Sequence, residues 1–296
     1  MSADENVNAD ENLKKVSAYI SKLPALPVTV SKILEIANNP NTSPVDLNRV
    51  ISLDPVLMAR VMKLINSAYY GVTNQVTSLV RAIIMLGINT VKNLALSTAV
   101  LGNLSRKENF QALNMNGFWR HSLSVGVLSK LIARTRNVDP KILEEYFIAG
   151  LLHDIGKIPL NNTLTAEFVQ AMSRADTERM PLFQLEEECI GFDHSRAGFI
   201  IGSEWKFGAE ILETIKSHHS PESCAQEHTE LVYTVAVANC YVNISGIGFS
   251  GSRYPEKLPQ NILDHLGINW DSLESMHGEL VQEIEKAKIF LKAGED

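Results

Sequence analysis

The sequence is poor in cysteine and lacks both a long apolar run and a block of basic residues. Its three cysteines, Cys189, Cys224 and Cys240, are odd in number and lack metal-site spacing, which argues against a disulfide framework and for a reducing compartment. No stretch reaches the ~18–20 consecutive apolar residues that a membrane span needs, and the acidic first residues are unlike a signal peptide. We therefore predict a cytoplasmic protein without membrane association.

The charge balance also limits the partners. Asp and Glu number 34 against 27 Lys and Arg, for a net charge of −7. A duplex-binding surface needs a basic excess on at least one face, because neutralising phosphates dominates that affinity. We therefore predict that nucleic acid is not a partner. The 296 residues, 45% of them hydrophobic, are enough for one large or two modest domains with a buried core.

Apolar residues recur at helical spacing along nearly the whole chain, and no run alternates with a period of two. Ser43-Pro44 and Asp54-Pro55 both combine a capping residue with a proline in the first helical turn. The pattern predicts an all-α fold of two helical lobes. We place a disordered leader at 1–12, a first lobe at 13–105, a second lobe at 106–245, and a loop with a C-terminal helix packed on the second lobe at 246–296.

The most informative string is Leu-Leu-His-Asp-Ile-Gly-Lys at residues 151–157. An apolar helix leads into His153 and Asp154, and Gly156 is a natural helix stop. Adjacent helical residues project about 100° apart, so both side chains can reach one ion that lies between them. A structural role for the pair remains an alternative.

Further histidines lie in similar contexts. They are His121 at an apolar helix, His194 after the capping residue Asp193, and the pair His218 and His219 before Pro221. With His153 and Asp154 they amount to five imidazoles and one carboxylate. That set could hold one or two divalent ions, of Fe, Mn, Zn or Ni, with Asp154 bridging. His228, His265 and His277, like the cysteines, are interpreted as ordinary surface or core residues.

These strings resemble the HD phosphohydrolase superfamily, particularly its HD-GYP branch. Two longer segments are similar to the HDOD domain, a relative of HD-GYP that is found in bacterial signalling proteins, and the resemblance covers about residues 20–245. They are LPALPVTVSKILEIANNPNTSPVDLNRVISLDPVLMARVMKLINSAYYG with the following TSLVRAIIMLGINTVKNLALS, and DHSRAGFIIGSEWKFGAEILETIKSHHSP. The resemblance implies that the second lobe is an HD-like helical bundle.

The chain also departs from that pattern. Asn239 stands where HD enzymes have their final metal-binding Asp, and an amide oxygen is a weaker, neutral ligand. The GYP segment expected after the paired histidines is absent, since Ser220-Pro221-Glu222 follows His219. The chain thus retains more ligands than the usual HDOD domain and fewer than an active HD-GYP enzyme.

The resemblance implies two functions. The first is a bacterial regulatory module, without catalysis, that acts by binding signalling proteins or a small nucleotide ligand. The alternative is a metal-dependent phosphohydrolase, similar to cyclic dinucleotide phosphodiesterases, in which the residues named above are ligands and Lys157 contacts phosphate. The sequence leaves the ion, the partner and the oligomeric state open.

Overall fold

The computed structural model describes residues 3–37, 39, 41–104 and 112–295, with only the backbone described at 3–8 and 293–295. All regular structure in these residues is helical, with no strand, which confirms the all-α prediction. The first helix, α1, spans Ala3–Ile20.

Five helices build the first lobe. They are α2 (Val28–Ala37), α3 (Pro44–Ile51), α4 (Pro55–Ile65), α5 (Leu79–Leu86) and α6 (Ile88–Leu104). Ser43 and Asp46 form a reciprocal capping box at α3, and the Asp54 side chain accepts a hydrogen bond from Leu57 N at α4, so both predicted helix starts are confirmed.

Helix α6 is the central element of the first lobe. It contacts α2, α4 and α5, and it also contacts the second lobe. All of its residues from Thr90 to Leu101 are buried, as expected of a helix that is surrounded on all sides. Among the described helices none is by itself long and apolar enough to cross a bilayer, and α5 with α6 meets that test only as a pair bent by 115°.

Eight helices build the second lobe. They are α7 (Met115–Thr135), α8 (Leu143–Leu152), α9 (Lys157–Thr163), α10 (Thr165–Glu178), α11 (Leu182–Ile190), α12 (His194–Glu204), α13 (Ala209–Ser217) and α14 (Thr229–Ile244). Helices α7 and α8 cross closely at Gly126 and Gly150, where there is no room for a side chain. A Cβ on Gly150 would lie 2.8 Å from the Cα of Gly126. This crossing sets the distance between the helices that carry His121 and His153.

Helix α1 runs through most of the segment predicted as a disordered leader. The chain is helical from Ala3 onward, and Asn12, only 1% exposed, donates a hydrogen bond from Nδ2 to the carbonyl of Ile190 at 3.0 Å. Asn162 also donates to the Tyr19 hydroxyl at 2.7 Å. Helix α1 packs on α9, α11 and α12 of the second lobe. The polar composition of residues 1–12 hid this helix, because its contacts are made by a few side chains at helical spacing.

The C-terminal region, predicted to pack on the second lobe, packs on both lobes. After the irregular segment 246–259 come α15 (Gln260–Leu266), α16 (Trp270–Ala287) and α17 (Ile289–Glu295). Helix α16 packs on α7, but α17 packs on α6 and α4 of the first lobe. Phe290 lies with its ring centroid 5.2 Å from that of Tyr69 and 4.8 Å from that of Phe147. The last helix therefore contacts both lobes. The predicted lobe boundary at 105–106 lies within residues 105–111, outside the described residues.

Candidate metal centre

The turn between α8 and α9 brings His153 and Asp154 to the centre of the second lobe. Gly156 lies against α12, where a Cβ would come within 1.9 Å of the His194 carbonyl oxygen. Its φ of −68° is right-handed, so at this position the glycine serves the close approach of α12 and adopts no left-handed conformation. The approach of α12 places His194 beside Asp154.

All six predicted ligands meet at this point. His121 comes from α7, His194 begins α12, and His218 and His219 follow α13. Their donor atoms form two groups, each within 4.8 Å, which share one carboxylate: Asp154, His194, His218 and His219, and His121, His153 and Asp154. Only His219 is appreciably exposed, with 10% of its side chain accessible. We call these the four-donor group and the three-donor group.

Asp154 lies between the groups with one oxygen toward each. Its Oδ1 is 3.1 Å from His194 Nε2, and its Oδ2 is 3.4 Å from His153 Nε2. Lys157 Nζ donates to Oδ2 at 2.7 Å. Burial alone raises the pKa of this carboxyl, but His153 and Lys157 outweigh it and hold the pKa of Asp154 well below its usual value. The residue is therefore a carboxylate, able to bind cations on both sides.

The three imidazoles of the four-donor group point their Nε2 atoms at one another. His194 Nδ1 faces Glu186 Oε2 at 2.5 Å, and His218 Nδ1 faces the Ile215 carbonyl at 2.9 Å. His219 Nδ1 faces Glu256 Oε1 at 2.8 Å. A carbonyl and a carboxylate only accept hydrogen bonds, so each Nδ1 carries a proton, and each Nε2 faces inward, where it can bind a cation once it carries no proton of its own.

These inward atoms fit a cation. His194 Nε2 is 2.9 Å from His219 Nε2 and 3.4 Å from His218 Nε2. Donors about 2.1 Å from one ion and at right angles or wider lie about 3–4 Å apart, which matches these separations. The buried Oδ1 of Asp154 and Nε2 of His153 have no hydrogen-bond partner. The cluster can therefore hold a metal ion.

The three-donor group is different because of Asn239. Its Oδ1 lies 3.1 Å from His121 Nε2 and also accepts a hydrogen bond from Asn243 Nδ2 at 2.8 Å. An acceptor at Nε2 requires a proton there, so His121 does not offer the lone pair that a metal needs. Asn239, which stands where an aspartate is expected, thus engages His121, one of the ligands of the three-donor group.

The surroundings shift the pKa values of two histidines in opposite directions. Burial lowers the pKa of His121 to about 3. Burial also acts to lower the pKa of His194, but the adjacent carboxylate of Glu186 outweighs it and raises that pKa to about 9. At neutral pH His194 therefore holds a proton that a bound cation must displace.

Sequence reasoning missed three residues beside the ligands. Glu186 on α11 and Glu256 in segment 246–259 hold ring nitrogens, and the Ser250 hydroxyl lies 3.3 Å from Lys157 Nζ. Glu186 is one of three consecutive glutamates and the other two lie in the irregular segment, so no local pattern marks them. The predicted surface loop is irregular, as expected, but it buries Ser250 completely.

The remaining predicted bystanders lie outside the two groups. His265 Nε2 lies 2.7 Å from Glu230 Oε1, and His277 Nδ1 lies 3.1 Å from the Tyr241 hydroxyl. His228 and the three cysteines, all of them free thiols, also belong to neither group.

Comparison with known proteins agrees with this architecture. The HDOD domain model matches residues 23–221. The crystal structure of an HDOD domain protein with unknown function from Geobacter sulfurreducens has a TM-score of 0.74 and 25% identity, covering 95% of this chain and 98% of that one. A second crystal structure, of a protein from Shewanella amazonensis SB2B provisionally named a phosphohydrolase, has a TM-score of 0.67 and 25% identity, covering 93% and 98%.

One curated relative is considerably longer. An uncharacterized protein of Treponema pallidum (strain Nichols) is 22% identical over 272 residues, which are 90% of this chain and 51% of that protein. The chain therefore spans about half the length of this curated relative. Because the HDOD match at 23–221 covers more than half of the 296 residues, the chain belongs to the HDOD domain family.

Proposed function

We propose that the chain is a regulatory signalling module that acts by binding, and that its second lobe holds one divalent ion in the four-donor group. The ligands are Asp154, His194, His218 and His219. The ion is Fe, Mn, Zn or Ni, since three imidazoles and one carboxylate suit these metals. It contributes to the stability and shape of the lobe.

The observation that supports one ion is the asymmetry between the two groups. In the four-donor group every ring has its Nδ1–H engaged by an outer acceptor, so all three Nε2 atoms face inward and can bind an ion once His194 loses its second proton. In the three-donor group the His121 Nε2 proton is engaged by Asn239. Hydrolysis by two metals needs ions in both positions, about 3.5–4 Å apart, to clamp the attacking and leaving oxygens. The residues of this chain favour a single, nearly closed site.

The partner in this proposal is a signalling protein or a small nucleotide, met in the cytoplasm. Large apolar side chains on the first lobe support a protein contact, since Leu53 is 68% exposed, Val56 60% and Ile84 69%. A contiguous patch of exposed apolar side chains is typical of an interaction surface, and these three residues are candidates for such a contact.

A second candidate is a metal-dependent phosphohydrolase, since the name of the Shewanella protein suggests phosphohydrolase activity and the donor groups suggest a metal. The supporting observation is Lys157, whose buried ammonium lies between Asp154 and Ser250 and could turn to a phosphate. A bound ion would lower the pKa of a water molecule there, and the partly exposed His219 marks the open side of the group.

Metal analysis of the whole chain, purified without a metal-affinity column, tests both candidates. We expect one Fe, Mn, Zn or Ni per chain, and no turnover of cyclic dinucleotides or of p-nitrophenyl phosphate esters. No ion, even after titration with these four metals, would contradict the metal part of the proposal. Two ions together with turnover would overturn it in favour of the phosphohydrolase.

A further inference from the structure

We propose that Glu186 and Glu256 are positioning residues that set the affinity of the four-donor group, and that Glu256 couples ion binding to the conformation of segment 246–259. This inference rests on the proposed function, because it assumes that the group binds an ion. It adds two residues that contact no ion themselves and a consequence at a distance from the ligands.

Glu186 holds His194 from a rigid element. Its side chain is completely buried on α11, which packs on α10 and on α1. One oxygen, Oε2, accepts both the backbone N–H of His194 at 2.9 Å and the ring Nδ1–H at 2.5 Å. The two bonds fix both the start of α12 and the rotation of the ring, so Nε2 points at Asp154.

Glu256 holds His219 from an irregular segment. Its Oε1 accepts the ring Nδ1–H at 2.8 Å, and its side chain is only 15% exposed. The Phe183 ring stacks on the imidazole with the centroids 4.4 Å apart and the planes 17° apart. The carboxylate therefore fixes the edge of the His219 ring while Phe183 fixes its face.

Segment 246–259 is tied to the centre at three places. Phe249 N donates to the Gly117 carbonyl at 2.9 Å, Ser250 lies beside Lys157, and Glu256 holds His219. Gly248, with φ at +76°, passes close to α7, since a Cβ there would lie 2.4 Å from His121 N. An ion that orders the His219 ring therefore also orders segment 246–259, because Glu256 in that segment is hydrogen-bonded to the ring.

The chemistry of this contact is known in general terms. A carboxylate that accepts the second N–H of a ligating histidine fixes its tautomer and makes it a stronger donor, and its loss typically weakens metal binding about 10–100-fold. His218 offers an internal contrast, because its ring donates to the neutral carbonyl of Ile215. We therefore expect the two carboxylates to add affinity beyond what the ligands alone provide.

The test compares Zn²⁺ affinity, measured by competition with a chromophoric chelator, in the full-length protein and its variants. We expect Glu186→Gln and Glu256→Gln to weaken Zn²⁺ binding about 10-fold and Glu256→Ala up to about 100-fold, since Gln keeps an acceptor oxygen and Ala does not. Glu187→Gln is the matched control, because Glu187 is the exposed neighbour of Glu186 on α11. It should bind as the unmodified protein does.

A second readout separates positioning from general stability. Hydrogen exchange in 246–259 should slow when Zn²⁺ is added to the unmodified protein and to Glu187→Gln, but not in Glu256→Ala at saturating Zn²⁺. If Glu186→Gln does not fold, the Glu256 series, at a partly exposed position, decides alone.

Two outcomes are distinguishable. If the unmodified protein binds no Zn²⁺ and none of the other three metals, the proposed function fails, and this inference with it. If it binds Zn²⁺ and the Glu256 variants bind equally well with unchanged exchange in 246–259, only the positioning role is overturned.

Discussion

The two lobes are built from similar apolar helices but differ in what they bury. In the described part of the first lobe, α2–α6, Lys92 is the one charged side chain that is buried. The second lobe buries Asp154, Lys157, Glu186 and several histidines around one point. Burying charge costs several kcal/mol per group unless it is compensated. The first lobe is therefore organised for packing, whereas the second gives up packing energy for a polar centre.

The chain ends tie these two regions together. Helix α1 packs on the second lobe, and α17 packs on the first, next to Tyr69. The N-terminal helix thus packs on the second lobe, and the C-terminal helix packs on the first. The variants below test how separate the lobes are, beginning with the largest expected effect.

Asp154→Ala should abolish stoichiometric metal binding. It removes the one carboxylate shared by both donor groups, and it leaves the Lys157 ammonium buried without that partner. Metal content by elemental analysis is the measurement, and Asp176→Ala, at a half-exposed aspartate, is the control. Unchanged metal content in Asp154→Ala would show that the ligand assignment is wrong.

Phe290→Ala should lower the free energy of unfolding by about 3–5 kcal/mol, the usual cost of truncating a buried phenylalanine. The ring is 1% exposed and joins Tyr69 of the first lobe to Phe147 on α8. Denaturant unfolding is the measurement. Trp270→Ala, at a 41% exposed aromatic residue, should cost far less, and equal costs would contradict the bridging role of α17.

Leu64→Ala should cost about 2–5 kcal/mol of stability and leave the metal content of the folded protein unchanged. Leu64 is fully buried in α4, inside the lobe that has no part in the donor groups. The control is Leu53→Ala, at a 68% exposed position. A lower metal content in folded Leu64→Ala would mean that the lobes are coupled more tightly than their separate cores indicate.

Local pattern was enough to predict two helix starts of the first lobe. Ser43 and Asp54 cap where expected, because capping depends on residues within one turn. The six residues that the fold brings together were also predictable, since the string at 151–157 and the contexts of the further histidines pointed to them and the resemblance agreed. These features depend on near neighbours or on a shared family pattern.

Other features could not be predicted because they depend on contacts far apart in the chain. Glu256 lies 37 positions from His219, and Asn12 lies 178 positions from Ile190. No periodicity within one segment reveals which distant segment will cover it.

Asn239→Asp should strengthen metal binding about 10-fold, or about 1.4 kcal/mol, and add a second ion. A carboxylate at this position gives the three-donor group a charged ligand in place of an amide oxygen that accepts from Asn243. Metal stoichiometry and affinity are the measurements, with Asn261→Asp at the surface as the control. Equal affinity and stoichiometry would remove Asn239 as the cause of the asymmetry.

Glu279→Gln should change stability least, by no more than about 1 kcal/mol. The carboxylate pairs with Arg134 and joins α16 to α7, but both side chains are about half exposed, at 47% and 50%. Water already solvates such a pair well, so its loss costs little, unlike the loss of a partner inside the second lobe. Denaturant unfolding at low and high salt is the measurement. A loss above 2 kcal/mol would mean that α16 is held by this one ion pair and not by its buried residues Leu273, Leu280 and Ile284.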